Sequence, residues 1–421
     1  MKTLVLAVLC FLPAIAGTED SFLLRGATVH TVSGADVPSG AVLVQAGKIV
    51  EVGPRIRAPR GARIIEARGL HVYPGMIDSA TAIGLSEVGS VRETRDTNEL
   101  GDFNPQLRAV VAINPASEHI PVTRANGITV VISLPDGGVI SGQAAVIHLD
   151  GWTWEETAVR SSVAMALQFP VIEVRISRFL PPASRIPYGE AKKKHQAKLR
   201  DLHDFFEQAR RYEKAKAAAA PDFRTDLKLE AMLPVLEQKI PVVITAVRER
   251  AIREALRFAE TEKIRVVLAG ASEAWKASAE LKVRNIPVIL PPTLALPLDE
   301  DDPYDKRFTL AAELHQAGVK FAFASFSNRF SRNLPYEAAT AVAFGLPHQE
   351  ALKAVTLYPA EIWGVSDQIG SIEKGKWADL IITNGDPLET RTEVRQVFIK
   401  GRAADLNNKH KLLYEKYRSR P

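Results

Sequence analysis

Nine histidines are the side chains of this sequence best suited to ligate a metal or carry a proton near neutral pH, and their spacing decides whether they can act together. They are His30, His71, His119, His148, His195, His203, His315, His348 and His410, and no two form a His-x-His or His-x-x-x-His pair. Those spacings place two imidazoles on one face of a strand or helix. Surface positions are therefore expected for the histidines, including His195 and His203, which share a helix face inside a basic stretch. Asp299, Glu300, Asp301, Asp302 and Asp305 crowd one loop and could attract a hard cation, but they lack the ligand spacing of a calcium loop. A solvated acidic loop is the expectation. The glycine-rich stretch Leu134–Gln143 lacks the Gly-Lys-Ser/Thr of a phosphate cradle and reads as a turn. Trp152 and Trp154, two residues apart, are expected to pack a loop rather than stack a ligand. No Gly-x-Ser-x-Gly elbow is present. Cys10 is the single cysteine and lies in an N-terminal apolar run, so a disulfide framework, a cysteine-ligated zinc and a cysteine nucleophile are all excluded from the rest of the chain.

The elements that must position any such chemistry follow from apolar patterning. From Phe22 to about Leu70, short alternating runs read as a small β-domain. Between about residues 72 and 326 come eight buried-type runs: VYPGMI, GITVVIS, AAVIHL, VAMALQF, PVVITAV, RVVLA, IPVIL and KFAFAS. Strands of this kind, separated by helical periods such as REALRFAE, imply a parallel sheet and suit a (β/α)8 barrel. The stretch near 189–220 reads as an inserted amphipathic helix, with Leu199, Leu202, Phe206, Ala209 and Tyr212 on one face and Lys192–Lys194 in a basic run. β-type sequence returns in DLIITNG and VRQVFIKGR, and a charged tail occupies 406–421. The expected organisation is a leader at 1–16, a composite β-domain from 17–72 plus 366–405, and a barrel from 73–365.

Composition narrows the function classes. With 54 Lys plus Arg against 49 Asp plus Glu, the net charge of +5 is too small for its length to suggest a nucleic-acid partner. Lys2, the apolar run to Ala16 and the small residues Ala14 and Ala16 have the form of a signal peptide cleaved after Ala16, which places the protein in the periplasm or outside the cell. No later run approaches the roughly 20 apolar residues of a transmembrane helix.

Three stretches resemble the metal-dependent amidohydrolase superfamily, in its imidazolonepropionase-like branch. Gly69-Leu-His-Val-Tyr-Pro-Gly-Met-Ile-Asp78 looks like the entry into the first barrel strand, Ala351–Gly364 resembles the last helix, and Gly370-Ser-Ile-Glu-Lys-Gly-Lys-Trp-Ala-Asp379 with Val397–Gly401 looks like the closing β-segment. The resemblance implies a TIM-type barrel with a composite β-sandwich-like domain built from both chain ends. It also implies hydrolysis of amide-like bonds by one or two divalent metals, zinc or similar, acting as Lewis acids. Yet the ligand positions it designates are occupied by Ala80 and Ala82 (first strand), Thr245 and Val247 (fifth), Gly270 (sixth) and, among Ser325, Phe326 and Ser327, Phe326 (eighth). Such side chains offer a cation little or nothing, so no metal is expected. The fourth-strand position cannot be aligned within Val163–Ile176. Asp78, Glu87, Ser325, Ser327, Arg332 and Asn333 fall in segments resembling the pocket rim and are the candidates for ligand contact.

The leading reading is an exported family member, degenerate at its metal site, that binds a small polar ligand or serves as a subunit, either in a homo-oligomer or beside a catalytically complete relative. The alternative is an active hydrolase of cyclic amide or imidazolone-like carbon–nitrogen bonds with an atypical site built on Asp78, Glu87 or the acidic loop. A third reading has the basic insertion and the tail KHKLLYEKYRSRP meeting a membrane surface.

Overall fold

The computed structural model describes residues 21–174, 186–219 and 223–420; the expected leader and Cys10 lie outside the described residues. Five strands open the chain: β1 (Phe22–Val29), β2 (Val37–Gln45), β3 (Lys48–Gly53), β4 (Arg63–Glu66) and β5 (His71–Pro74). Eight more follow: β6 (Met76–Thr81), β7 (Ile128–Ser133), β8 (Ile140–His148), β9 (Ala158–Gln168), β10 (Val242–Thr245), β11 (Val266–Ala269), β12 (Val288–Ile289) and β13 (Phe321–Ala322). Three close it: β14 (Leu380–Thr383), β15 (Val394–Ile399) and β16 (Arg402–Ala403).

Strands β6 to β13 form one sheet in sequence order. The two edges meet where the Ser79 N–H donates to Phe323 O (3.3 Å) and the Phe326 N–H to Ala80 O (2.8 Å), so the sheet is a nearly closed barrel. The expectation of uniformly parallel strands needs one correction. β8 is antiparallel to both β7 and β9, because only residues 134–139 link β7 to β8. A parallel crossover needs about a dozen residues or more.

The other sheet joins both chain regions in the order β16-β15-β14-β5-β1-β2-β3. It is a single hydrogen-bonded sheet that forks at β1, where Phe22–Arg25 pair with β4 and Thr28–Val29 with β5. The VYPGMI run is shared between the two sheets, dividing at Gly75. A Cβ there would stand 2.0 Å from Thr129 Oγ1, so only glycine lets β6 start against β7. The junction is fastened by Asp379, whose Oδ2 lies 2.7 Å from Nε2 of the fully buried His148 and whose Oδ1 accepts the Lys400 N–H.

Helix Glu249–Glu262 shows how the outer layer forms. Ile252, Ala255, Leu256 and Ala259 recur at helical spacing and are buried, and the left-handed Lys263 (φ 52°) ends the helix. The segment that follows β9 forms the helix Tyr188–Ala217, burying Leu202, Phe205, Phe206, Ala209 and Tyr212. It is tied to helix Glu249–Glu262 by Arg210 and His203, both on Glu262 at 2.5 Å.

Candidate functional site

The C-terminal ends of the parallel strands converge on a cavity of about 480 Å³. Thr81 and Ala82 line it from the end of β6, Gln168 from β9, Thr245 from β10, Phe326 from the segment after β13, and Arg95 from the long loop following β6. Thr245 and Gln168 are paired in register across β9 and β10, and neither side chain has a hydrogen-bond partner among the described residues. Both also line an adjoining, more apolar hollow of about 530 Å³ that contains Val247. Arg95 is exposed and has no carboxylate partner among the described residues. The mouth thus offers an amide, a hydroxyl and a guanidinium, all free, on a largely uncharged wall.

Of the designated ligand positions, Ala82, Thr245 and Phe326 line this cavity and the others do not. Ala80 is buried in β6 among Ile77, Val130 and Ala324, and Ala82 is half-buried just beyond the strand. Val247 is exposed. Gly270 has φ 65°, with only the Thr245 methyl nearby at 3.7 Å from a built Cβ. Phe326 adopts φ 49°, a conformation costly for a bulky side chain, and puts a phenyl ring where the eighth-strand carboxylate is expected. Among the described residues no group of three or more His, Cys, Asp or Glu side chains is placed to hold a metal ion. The residues present do not fit a divalent cation.

Asp78 is not a rim residue. It is fully buried beneath the mouth, and both carboxylate oxygens are engaged. Oδ1 accepts the Ser325 N–H (3.0 Å) and the Ala80 N–H (3.4 Å); Oδ2 accepts the hydroxyls of Ser325 (2.5 Å) and Ser331 (2.6 Å). Burial pushes its carboxyl up to about 6, against the opposing pull of the Ser325 and Ser331 hydrogen bonds. Ser325 is consumed in this contact, and Ser327 caps the following turn by accepting the Arg329 and Phe330 N–H groups, while its carbonyl accepts the Thr81 hydroxyl. Arg332 turns back to Arg329 O (2.8 Å) and Asn333 starts the helix Leu334–Ala343, so neither lines the mouth. Glu87 is half-buried beside the rim, its Oε1 enclosed and unpartnered and its carbonyl bound by His119 and Asn328.

Other expectations shift in the same way. His148 and His195 are buried rather than on the surface. In the acidic loop, Asp299 is held by Arg248 through two contacts of 2.6 and 2.7 Å, which keep its carboxyl below the usual range. Trp152 is 91% exposed and packs no loop. Sequence reasoning missed Arg95 and Gln168. The first sits in an irregular loop without a motif; the second ends the run VAMALQF, whose single polar residue was its only signal.

Comparison with known proteins adds independent information. Residues 279–404 match the model of the amidohydrolase family. A crystal structure of an amidohydrolase from Thermotoga maritima MSB8 superposes with a TM-score of 0.78 at 29% identity, covering 91% of this chain and 99% of that one. Amidohydrolase tasK of Hapsidospora irregularis is 25% identical over 397 residues, 86% of this chain and 40% of its own length. The N-acyl-D-aspartate deacylase of Alcaligenes xylosoxydans xylosoxydans is 26% identical over 211 residues, 42% of this chain and 40% of its own. The match thus spans well under half the length of either of these two relatives.

Proposed function

Because the chain belongs to the amidohydrolase superfamily, we propose that it uses the barrel mouth to bind a small polar ligand without metal-dependent hydrolysis. With no group of three or more His, Cys, Asp or Glu side chains placed to hold a metal among the described residues, the observation that carries this reading is an open cavity whose wall carries Ala82, Thr245 and Phe326 at three of the positions the resemblance designates for ligands. Fold alone assigns no reaction, and Lewis-acid chemistry needs donor atoms that these side chains lack. Gln168 and Thr245 would hydrogen-bond the ligand from the floor, and Arg95 would take any anionic group at the rim. Export through residues 1–16, and assembly with itself or with a catalytically complete relative, belong to the same proposal.

Metal stoichiometry tests it. The purified chain is equilibrated with zinc, manganese or iron and exhaustively desalted, then assayed on cyclic dipeptides, imidazolones and hydantoins. Less than about 0.1 ion per chain and no turnover are expected, since structural and catalytic sites of this class hold metal tightly. One retained ion per chain, or turnover abolished by Asp78→Asn, would replace this reading with that of an active hydrolase.

A further inference from the structure

The helix Lys409–Arg418 buries no side chain. Isolated helices shorter than about 12–15 residues are marginal in water, so what holds this one is its base and what it meets. The base is fixed. Arg124 donates to Asp405 O through Nε (3.1 Å) and Nη2 (2.8 Å), and the buried Asn408 caps the first turn by accepting the His410 and Lys411 N–H groups.

At about 100° per residue, Leu413, Tyr414 and Tyr417 fall within one arc of about 100°, with His410 among them. Lys409 and Lys416 flank that arc on one side and Lys411 and Arg418 on the other. Glu415 and Leu412 lie outside it. Leu413, Tyr414 and Tyr417 are 39%, 61% and 46% exposed. Lys409–Arg420 carries five cations, counting Arg420, against the one carboxylate of Glu415.

A second observation lies beside the base. Arg124 also binds Asp150 (2.7 Å), two residues from Trp152, which is 91% exposed although its backbone N–H donates to Glu156 Oε2. Arg124 closes the helix that precedes β7, at the barrel end opposite the mouth. Lys263 and Arg265 stand at that same end, before β11, without carboxylate partners among the described residues.

We propose that the helix Lys409–Arg418, with Trp152 near its base, is a docking surface for anionic lipid headgroups. An apolar and aromatic stripe seated between two rows of cations matches the boundary between acyl chains and acidic headgroups, where tyrosine and tryptophan rings settle and lysine and arginine reach outward. A second copy is disfavoured, because each stripe would bring its own cations against the other's. In this orientation the mouth faces away from the lipid.

The test uses the full chain and vesicles of phosphatidylcholine, alone or with about 30 mol% phosphatidylglycerol. Co-sedimentation is expected only with the anionic vesicles, falling several-fold between about 0.1 and 0.5 M salt. The variant K411E/K416E/R418E is expected to lose binding with an unchanged melting temperature, since its side chains are exposed. L413S/Y417S, which keeps the charge, is expected to bind several-fold more weakly. The proposal is overturned by absence of binding to the anionic vesicles, by full binding of the charge-reversed variant, or by undiminished binding of the serine variant. It is equally overturned by a dimer in light scattering that the serine variant abolishes while vesicles are ignored.

Discussion

An ionised carboxylate inside a barrel wall is tolerable only when its lone pairs are engaged, and Asp78 meets that condition with two serines and two backbone N–H groups instead of a cation. The sign of its effect on stability follows from its titration. With a folded value of about 6 against an ordinary 3.8, the folded chain keeps a proton that the unfolded chain has released. The contribution of Asp78 is therefore fullest below about pH 4 and is lost as pH rises through about 6, a difference of about 3 kcal/mol. Relative to Asp78→Asn, which does not titrate, the natural chain should lose about 2 kcal/mol between pH 4 and pH 7 in urea denaturation. Parallel curves for the two proteins would sink this account. None of it was legible in the sequence: the Pro-Gly-x-Ile-Asp stretch identified the residue, but its burial depends on the loop carrying Ser325 and Ser331, some 250 positions away.

At the scale of the strand, β6 shows how differently two neighbouring alanines are packed. Ala80 is 1% exposed within the buried cluster that also holds Ile77 and Val130, whereas Ala82 lies past the strand end at the mouth. An imidazole at the first position overfills the interior, so Ala80→His should cost about 1–3 kcal/mol. Ala82→His should stay within about 0.5 kcal/mol of the natural chain. Equal losses in chemical denaturation would show that the two sites are packed alike. Strand existence was readable here because buried β-segments are short apolar runs; strand direction was not, because a run such as AAVIHL reads the same whichever way it points. The informative signal was distance along the chain. The ten residues between GITVVIS and AAVIHL leave no room for a crossover helix. Gln168 and Arg95 escaped for the opposite reason, being defined by the space they face and by no local pattern.

Across the whole molecule, the apolar framework was the readable part, because a near-continuous series of buried runs leaves few architectures other than a barrel. The mouth was readable only through the positions that the family resemblance designates. What now occupies it depends on loops that converge from distant segments. Blocking the mouth tests that assignment directly. Thr245→Trp should abolish ligand-induced stabilisation by any small molecule that raises the melting temperature of the natural chain, while lowering its own melting temperature by no more than a few degrees. A retained ligand response would place the site elsewhere. The reversed strand β8 carries one more consequence, for the order of assembly. Connections of six and nine residues join it to β7 and β9, whereas β5 must find β14 across some 300. Closing short loops loses far less chain entropy than closing long ones. The β7–β8–β9 meander can thus form while both ends of the polypeptide are still searching. Pulse-labelled hydrogen exchange during refolding should find the amides of Val130 to Val146 protected first and those of Leu380 to Thr383 last.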